Sequence, residues 1–424
     1  MDQAARDRLD ASARKILEDN DRGGYTVPTS GLYPFQWNWD SCLVALGWAA
    51  FDEARAWQEI ETLLSAQWDD GMVPHIVFRR PDPGYFPGPE VWRTGRTPAT
   101  SGITQPPVAA SCVRRILERA RDRTCAEAAA RRLFPKLLAF QCWFHRVRDP
   151  GRLGLVATLH PWETGMDNSP AWDEALGRIE VAPDLEPYTR RDTQLVAAAE
   201  RPTSAEYDRY MILLELYRAH DYGPGIVREA PFRVADVATN CILLRADRDL
   251  LWLANRLGPT DAPRDEIAGW ISRAEASFAR FRNPATGLWR SYDLRADAPV
   301  PTATHAGFLA FWAGVGDDAL AESLDKWLAG TRYGLASVRA DDPRFERQRY
   351  WRGPIWAITN FLIGEGLAES GFERLAARLR DDTAALIAAH GFFEYFDAVD
   401  GRGCGGDRFS WTAAMWLAWA RQAT

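Results

Sequence analysis

Six short apolar stretches, each preceded by a loop of Gly, Pro, Trp and polar residues, constrain this chain more than any other feature. The apolar stretches are Ser41–Ala50, Pro107–Arg121, Ala235–Leu257, Ala303–Gly314, Pro354–Gly366 and Ser410–Ala420. Between them run amphipathic stretches with helical spacing: Glu53–Trp68, Cys125–Val147, Ser204–His220, Asp265–Phe281 and Phe372–His390. Met1 to Leu17 alternates charge with Ala, without an apolar signal-peptide segment, and reads as a helix of the mature fold. A helix that is apolar all round belongs inside and an amphipathic one outside. Six inner helices alternating with outer ones close into an all-α (α/α)6 toroid; a plain solenoid of helical hairpins is the competing arrangement. In the toroid all six loops gather at one mouth. We therefore expect a single catalytic domain over residues 1–424.

Inner helices begin roughly 50–70 residues apart, with one exception about twice as long. The exception contains residues 148–231, rich in Pro, Asp, Glu and Trp, and loops of that length are commonly lids or site walls. The homo-oligomeric state is left open.

Composition narrows the partner. Acidic residues outnumber basic ones, 58 to 51, with no basic arm or face, so nucleic acid is not expected. No apolar run reaches a membrane span. The six cysteines are scattered without a CxxC pair, which suits reduced thiols in the cytoplasm. Tryptophan is as frequent as phenylalanine, 19 of each. Trp37, Trp39, Trp92, Trp162, Trp351 and Trp411 lie in loops instead of helix stripes. Flat amphipathic rings on loops suit sugar rings, whose axial C–H groups pack on aromatic faces.

Glycosidic cleavage needs one carboxylic acid to protonate the leaving oxygen and a second carboxylate as base or nucleophile. Two positions have suitable surroundings. Asp167 lies in His160-Pro-Trp-Glu-Thr-Gly-Met-Asp-Asn-Ser-Pro-Ala-Trp-Asp173, where Trp162, Met166 and Trp172 can desolvate it and raise its pKa. Glu163 and Asp173 are rivals in the same segment, and capping a short helix near Ser169 is the structural alternative for Asp167. Glu394 lies in His390-Gly-Phe-Phe-Glu-Tyr-Phe-Asp397, an aromatic setting that is costly for a carboxylate unless it is paired or partly solvated. Its structural alternative is a buried Glu satisfied by an Arg. Six histidines show no HExxH or paired ligand spacing, so a transition-metal site is not expected, and the hydrolytic chemistry needs no cofactor. His75 and His305 fit sugar bonding or a core role equally. No Gly-x-Ser-x-Gly elbow occurs.

Tyr33-Pro-Phe-Gln-Trp-Asn-Trp-Asp40, Tyr350-Trp-Arg-Gly-Pro-Ile-Trp356 and Glu394-Tyr-Phe-Asp397 followed by Phe409-Ser-Trp411 resemble glycoside hydrolase family 63. The likeness is strongest to its bacterial mannosylglycerate and glucosylglycerate hydrolases, and runs from Gly23-Gly-Tyr25 to the end. It implies the (α/α)6 barrel and an inverting mechanism, with Asp167 as general acid and Glu394 as general base. It also implies a sugar subsite of Tyr33, Trp37, Trp39, Asp40, Gln105, Tyr350, Trp351 and Trp356, which Trp162 joins from the acid-bearing loop. Glu200-Arg-Pro-Thr-Ser-Ala-Glu-Tyr207 resembles the mobile loop of those enzymes, with Arg201 and Tyr207 on the glycerate. An Arg fork suits a carboxylate; the plainer reading pairs Arg201 with Glu200 or Glu206 at the surface. The alternatives to a glycosylglycerate hydrolase are an α-glucosidase or trehalase-like hydrolase, a sugar epimerase resting on His bases, and a catalytically dead carbohydrate-binding protein.

Overall fold

The computed structural model describes residues 1–258 and 262–423. Its inner helices are Asn38–Ala49, Ala109–Arg119, Val237–Leu257, Leu309–Trp312, Ala357–Glu369 and Ser410–Ala418. Each touches the next, and the last packs against the first, so the ring closes. The outer layer is Gln3–Asn20, Glu53–Leu64, Arg123–Trp143, Arg264–Ser277, Asp318–Leu328 and Glu373–His390. This is the (α/α)6 toroid. No helix among the described residues is long and apolar enough to cross a membrane.

Local chemistry separates the two layers. Outer helices often start at an acidic cap: the side chains of Asp52, Asp122 and Asp317 each accept a first-turn N–H. Most inner helices start at Trp37, Val108, Trp356 or Phe409, which have no capping side chain. Their leading N–H groups bond to neighbouring loops instead. Asn38 N donates to His75 O, and Ser410 N to Pro28 O. Trp39 N donates to Gln105 Oε1; the Val237–Leu257 helix differs, with Asp236 capping Ala238 N and Thr239 N while Val237 N donates to Ser291 Oγ. Neighbouring segments thus satisfy several of these helix ends, and strands of two or three residues tie the loops together, as in Gln36–Trp37, Ile76–Phe78 and Ala99–Thr100.

Two elements differ from the sequence reading. Ser204–Ala219 is a helix with a Thr203–Glu206 capping box, but it is not part of the outer ring. Tyr207, Tyr210, Leu213, Leu214 and Tyr217 bury its inner face in a second core shared with Phe35, Trp37, Trp92 and Trp172. Its periodicity was legible; which core receives the stripe depends on remote partners. The inner helix after Val237–Leu257 is also short, a 3-10 turn over His305–Phe308 leading into one α turn. Its outer partner Asp318–Leu328 was not singled out by pattern, and it packs through Trp327 edge-on to Phe308.

Ring closure relies on a close approach. A Cβ built on Gly47 would stand 2.6 Å from both Cα and Cβ of Ala414, on the adjoining inner helix. We predict that Gly47→Leu destabilises the fold by about 1–3 kcal/mol or more, the usual cost of overpacking. Chemical denaturation checks this; an unchanged midpoint would contradict the tight first-to-last helix contact.

Candidate active site

Four of the six mouth loops, those bearing Tyr33, Gln105, Tyr350 and Phe409, line one pocket of about 880 Å3, open solvent included, together with residues 148–231 and the segment from His75 to Pro87. The loops over residues 232–236 and 300–305 do not reach it. Asp167 and Glu394 both line it. Asp167 comes from the long excursion, just after a 3-10 turn over Pro161–Thr164 that Gly165 ends in a left-handed conformation. Glu394 comes from the segment leading into the last inner helix, where Trp411 Nε1 holds its carbonyl at 3.0 Å.

The structure separates Asp167 from its rivals. Glu163 is ion-paired to Arg148 and accepts from Tyr217 Oη and Leu159 N, so its carboxylate is fully employed. Asp173 pairs with Arg352 near the surface. Capping is also accounted for, because Ser169 itself caps the turn Pro170–Trp172. No described side chain bonds the Asp167 carboxyl, while Tyr210 Oη donates to its carbonyl at 2.9 Å. Burial pushes the Asp167 carboxyl up to about 7, against a smaller opposing pull from Arg201.

Glu394 is 1 % exposed. Its Oε1 accepts from Tyr33 Oη at 2.8 Å, and its Oε2 from Gly406 N at 3.1 Å. Burial raises its pKa, opposed chiefly by Arg201, whose Nη1 stands 3.6 Å from Oε1. That separation is an ion pair without a hydrogen bond, so the Arg leaves the Glu only partly satisfied.

Arg201 does not lie at the surface with its neighbours. Glu200 pairs with Arg402, and Glu206 serves the Thr203 cap. The buried guanidinium donates through Nη2 to Tyr33 Oη at 2.6 Å and through Nε to Asp192 at 3.2 Å. It lies over the Tyr350 ring at 4.1 Å. Nη1 is buried with no hydrogen-bond partner, an arrangement that costs free energy unless a ligand supplies an acceptor.

Of the other expected residues, Tyr33, Trp37, Trp39, Asp40, Gln105, Trp162, Tyr207 and Tyr350 all line the pocket. Trp351 and Trp356 do not. They stack on each other at 3.6 Å, nearly parallel, beneath Tyr350, sandwiched between His305 and Tyr395. The Trp-Arg-Gly-Pro segment instead grips the acid-bearing loop. Trp351 N donates to Asn168 Oδ1 at 3.1 Å, and Arg352 to Asn168 O at 3.4 Å. His75 lines the pocket, stacked on Trp162, and burial lowers its pKa well below the usual range. His305 lies outside the lining, its Nδ1 against Ser337 O at 3.2 Å. The buried, neutral His75 ring suits polar contact with a sugar better than proton abstraction, and His305 does not reach the pocket.

Residues 33–412 match the family model described as the mannosylglycerate hydrolase MGH1-like glycoside hydrolase domain. The chain belongs to this family. It is 54 % identical over 415 residues to mannosylglycerate hydrolase MGH1 of Selaginella moellendorffii, covering 96 % of this chain and 84 % of that one. It is 49 % identical to a mannosylglycerate hydrolase of Thermus thermophilus, over 96 % of this chain and all of that one. Glucosylglycerate hydrolase of Mycolicibacterium hassiacum is 36 % identical, over 97 % of both chains. Among solved structures, a family 63 mannosylglycerate hydrolase of Thermus thermophilus in complex with Tris and D-glycerate superposes with a TM-score of 0.93. Its identity is 48 %, over 97 % of this chain and 99 % of that one. Neutral trehalase of Saccharomyces cerevisiae, 17 % identical with a TM-score of 0.60 over 93 % of this chain and 72 % of that one, shares the fold.

Three residues of this MGH1-like glycoside hydrolase pocket with ionisable side chains escaped the sequence reading: Tyr85, Arg191 and Asp192. Tyr85 follows Pro81-Asp-Pro-Gly84, a loop as rich in Gly, Pro and aromatics as the others, but no inner helix follows it directly. Arg191 Nη1 reaches both Asp82 oxygens at 2.8 Å, joining that loop to the excursion. Asp192 accepts from Arg190 and Arg201, which together hold its pKa below the usual range despite burial. Asp40, buried beside the Glu394 charge, is pushed well above the usual carboxylate range by burial first and by that charge second. The pocket therefore holds, at Asp167, a carboxyl that stays protonated to about pH 7 and, at Glu394, one tied to N–H and O–H donors.

A carboxyl with a raised folded-state pKa contributes stability at low pH that is lost as pH rises through its folded value. For Asp167 the loss spans the ordinary carboxylate range up to about 7. Asp167→Asn is therefore expected to gain melting temperature over the parent progressively between about pH 4 and 8. Paired thermal melts across that window check it, and a constant difference would contradict the raised pKa.

Proposed function

We propose that the enzyme is an inverting hydrolase of 2-O-α-mannosylglycerate, 2-O-α-glucosylglycerate or both, releasing hexose and glycerate. What carries this reading is one juxtaposition: a raised, unbonded carboxyl at Asp167 and a donor-held carboxyl at Glu394 open on one pocket beside the unpartnered Nη1 of Arg201. The similarity to glycerate-releasing hydrolases supports the aglycone.

In this scheme Asp167 gives its proton to the glycosidic oxygen as the C–O bond breaks. Glu394 takes a proton from a water that attacks the anomeric carbon on the opposite face, a geometry that calls for carboxyls about 6.5–9.5 Å apart. Tyr33, Trp37, Trp39, Asp40, Gln105, Trp162 and Tyr350 hold the sugar; Arg201 and Tyr207 hold the glycerate. The Gln105 amide nitrogen bonds no described residue and is available to a hydroxyl. Residues 148–231 act as the wall and lid of a single catalytic domain, and the scattered thiols suit a reducing cytoplasm. Neutral His75 and the off-pocket His305 weigh against a His-based epimerase.

Proton NMR of the first anomer released from each glycosylglycerate tests the mechanism. The β-sugar is expected, and the faster substrate identifies the preferred hexose; release of the α-sugar would mean retention and overturn the assignment. Asp167→Asn and Glu394→Gln should each cost at least about a hundredfold in kcat, since each removes an acid–base partner. The kcat/KM profile should fall on the basic side near pH 7, as Asp167 loses its proton, and on the acidic side as Glu394 gains one. Arg201→Ala is expected to abolish selectivity for a carboxylated aglycone; an unaltered preference would favour an α-glucosidase acting on neutral glucosides.

A further inference from the structure

We propose that Glu200 is a positioning residue that joins the loop carrying Arg201 to the turn that sets the Glu394 carboxylate, so that aglycone reader and base move as one hydrogen-bonded unit. The proposal rests on the roles assigned above to Glu394 and Arg201.

The connections are direct. Glu200 Oε2 accepts from Gly405 N at 3.2 Å and Oε1 from Arg402 Nη2 at 3.0 Å. The next amide, Gly406 N, is the one that donates to Glu394 Oε2. On the other side, Tyr395 Oη donates to Glu200 O at 2.9 Å, and Arg349 Nε to Ala199 O at 3.2 Å. The following residue, Arg201, reaches Tyr33 Oη, which donates to Glu394 Oε1. The base is therefore held at both oxygens by groups that Glu200 or its neighbour controls. The turn itself has no slack: Gly405 has φ +69°, and a Cβ there would stand 2.3 Å from Glu394 Oε2. A movement of this turn by a fraction of an ångström thus displaces the carboxylate, and misplacement by about 1 Å can cost a hundredfold in rate.

The groups facing Glu394 from the surrounding elements are Asp40, Arg201, Tyr33, Tyr350, Tyr395 and Asp167. Loss of the Gly406 N–H removes a donor that favours the charged base. Glu200→Ala should therefore lower kcat on mannosylglycerate roughly ten- to a hundredfold and place the acidic limb of the kcat–pH profile higher than in Glu200→Gln, which loses the same charge but keeps an acceptor for Gly405 N. Glu200→Gln should recover most of the rate. Glu200→Asp keeps the charge but is too short to span both partners, and should behave like Ala. Circular dichroism and thermal melts establish that each variant is folded; the Gln and Asp variants carry the comparison if Ala does not fold. A folded Ala or Asp variant with parental kcat, or an acidic limb in Ala no higher than in Gln, would overturn the proposal. So would a loss confined to KM, or a Gln variant no better than Ala. Full activity of Glu394→Gln would instead remove the base assignment, and the present proposal with it.

Discussion

Closure of the inner ring is the constraint from which the rest follows. Inner helices that are apolar on every side can exist only where another layer surrounds them, and most begin without a capping side chain. Their first N–H groups must find acceptors somewhere. They find them in adjoining loops, such as His75 O for Asn38 and Pro28 O for Ser410. The loops therefore cannot splay without unsatisfying helix ends, and the mouth becomes a braced rim. Gly47 against Ala414 shows how near the backbones come where the first and last inner helices meet.

A braced rim can keep carboxyl groups in surroundings they would otherwise avoid. Asp167 sits in the pocket with no described side chain bonded to its carboxyl, so burial dominates and favours its neutral form. Glu394 is more fully buried, yet receives a phenol, an amide N–H and the field of a guanidinium. The same functional group thus meets opposite treatment within one cavity. Arg201 links them, because it faces Glu394, bonds Asp192 and still carries a free N–H donor. A carboxylated ligand would find a buried cation already ordered, and the cost of desolvating that cation is part of the folded state rather than of binding.

Residues 148–231 supply much of this chemistry and have their own core. Phe35 and Trp37 from the first mouth loop, Trp92 and Trp172 pack there with the Tyr face of Ser204–Ala219. The aromatic richness that pointed to sugar binding is thereby divided. Trp37, Trp39, Trp162 and Trp411 face the pocket, whereas Trp92, Trp351 and Trp356 are packing and support. Trp351 and Arg352 still act on the site at one remove, by holding Asn168 next to Asp167.

Periodicity in the sequence marked most of the helix layers, because burial on all sides and burial on one side leave different patterns in the chain, but it placed Ser204–Ala219 in the outer layer and passed over Asp318–Leu328. The sequence also marked the mouth loops and the segments bearing Asp167 and Glu394, since Gly, Pro and aromatic residues cluster where backbone turns meet a ligand surface; the Arg201 segment stood out only through its resemblance to the family's mobile loop. Tertiary contacts between remote segments are what assign Ser204–Ala219 to a separate core, and what consume Glu163 with Arg148 and Tyr217 while no described side chain bonds the Asp167 carboxyl. They also decide that Trp351 and Trp356 lie behind the pocket wall and that Tyr85, Arg191 and Asp192 stand on it. The physical reason is common to these cases. Periodicity records how much of a residue is buried, but the partner that buries it, or satisfies its charge, comes from a chain segment that is remote in sequence.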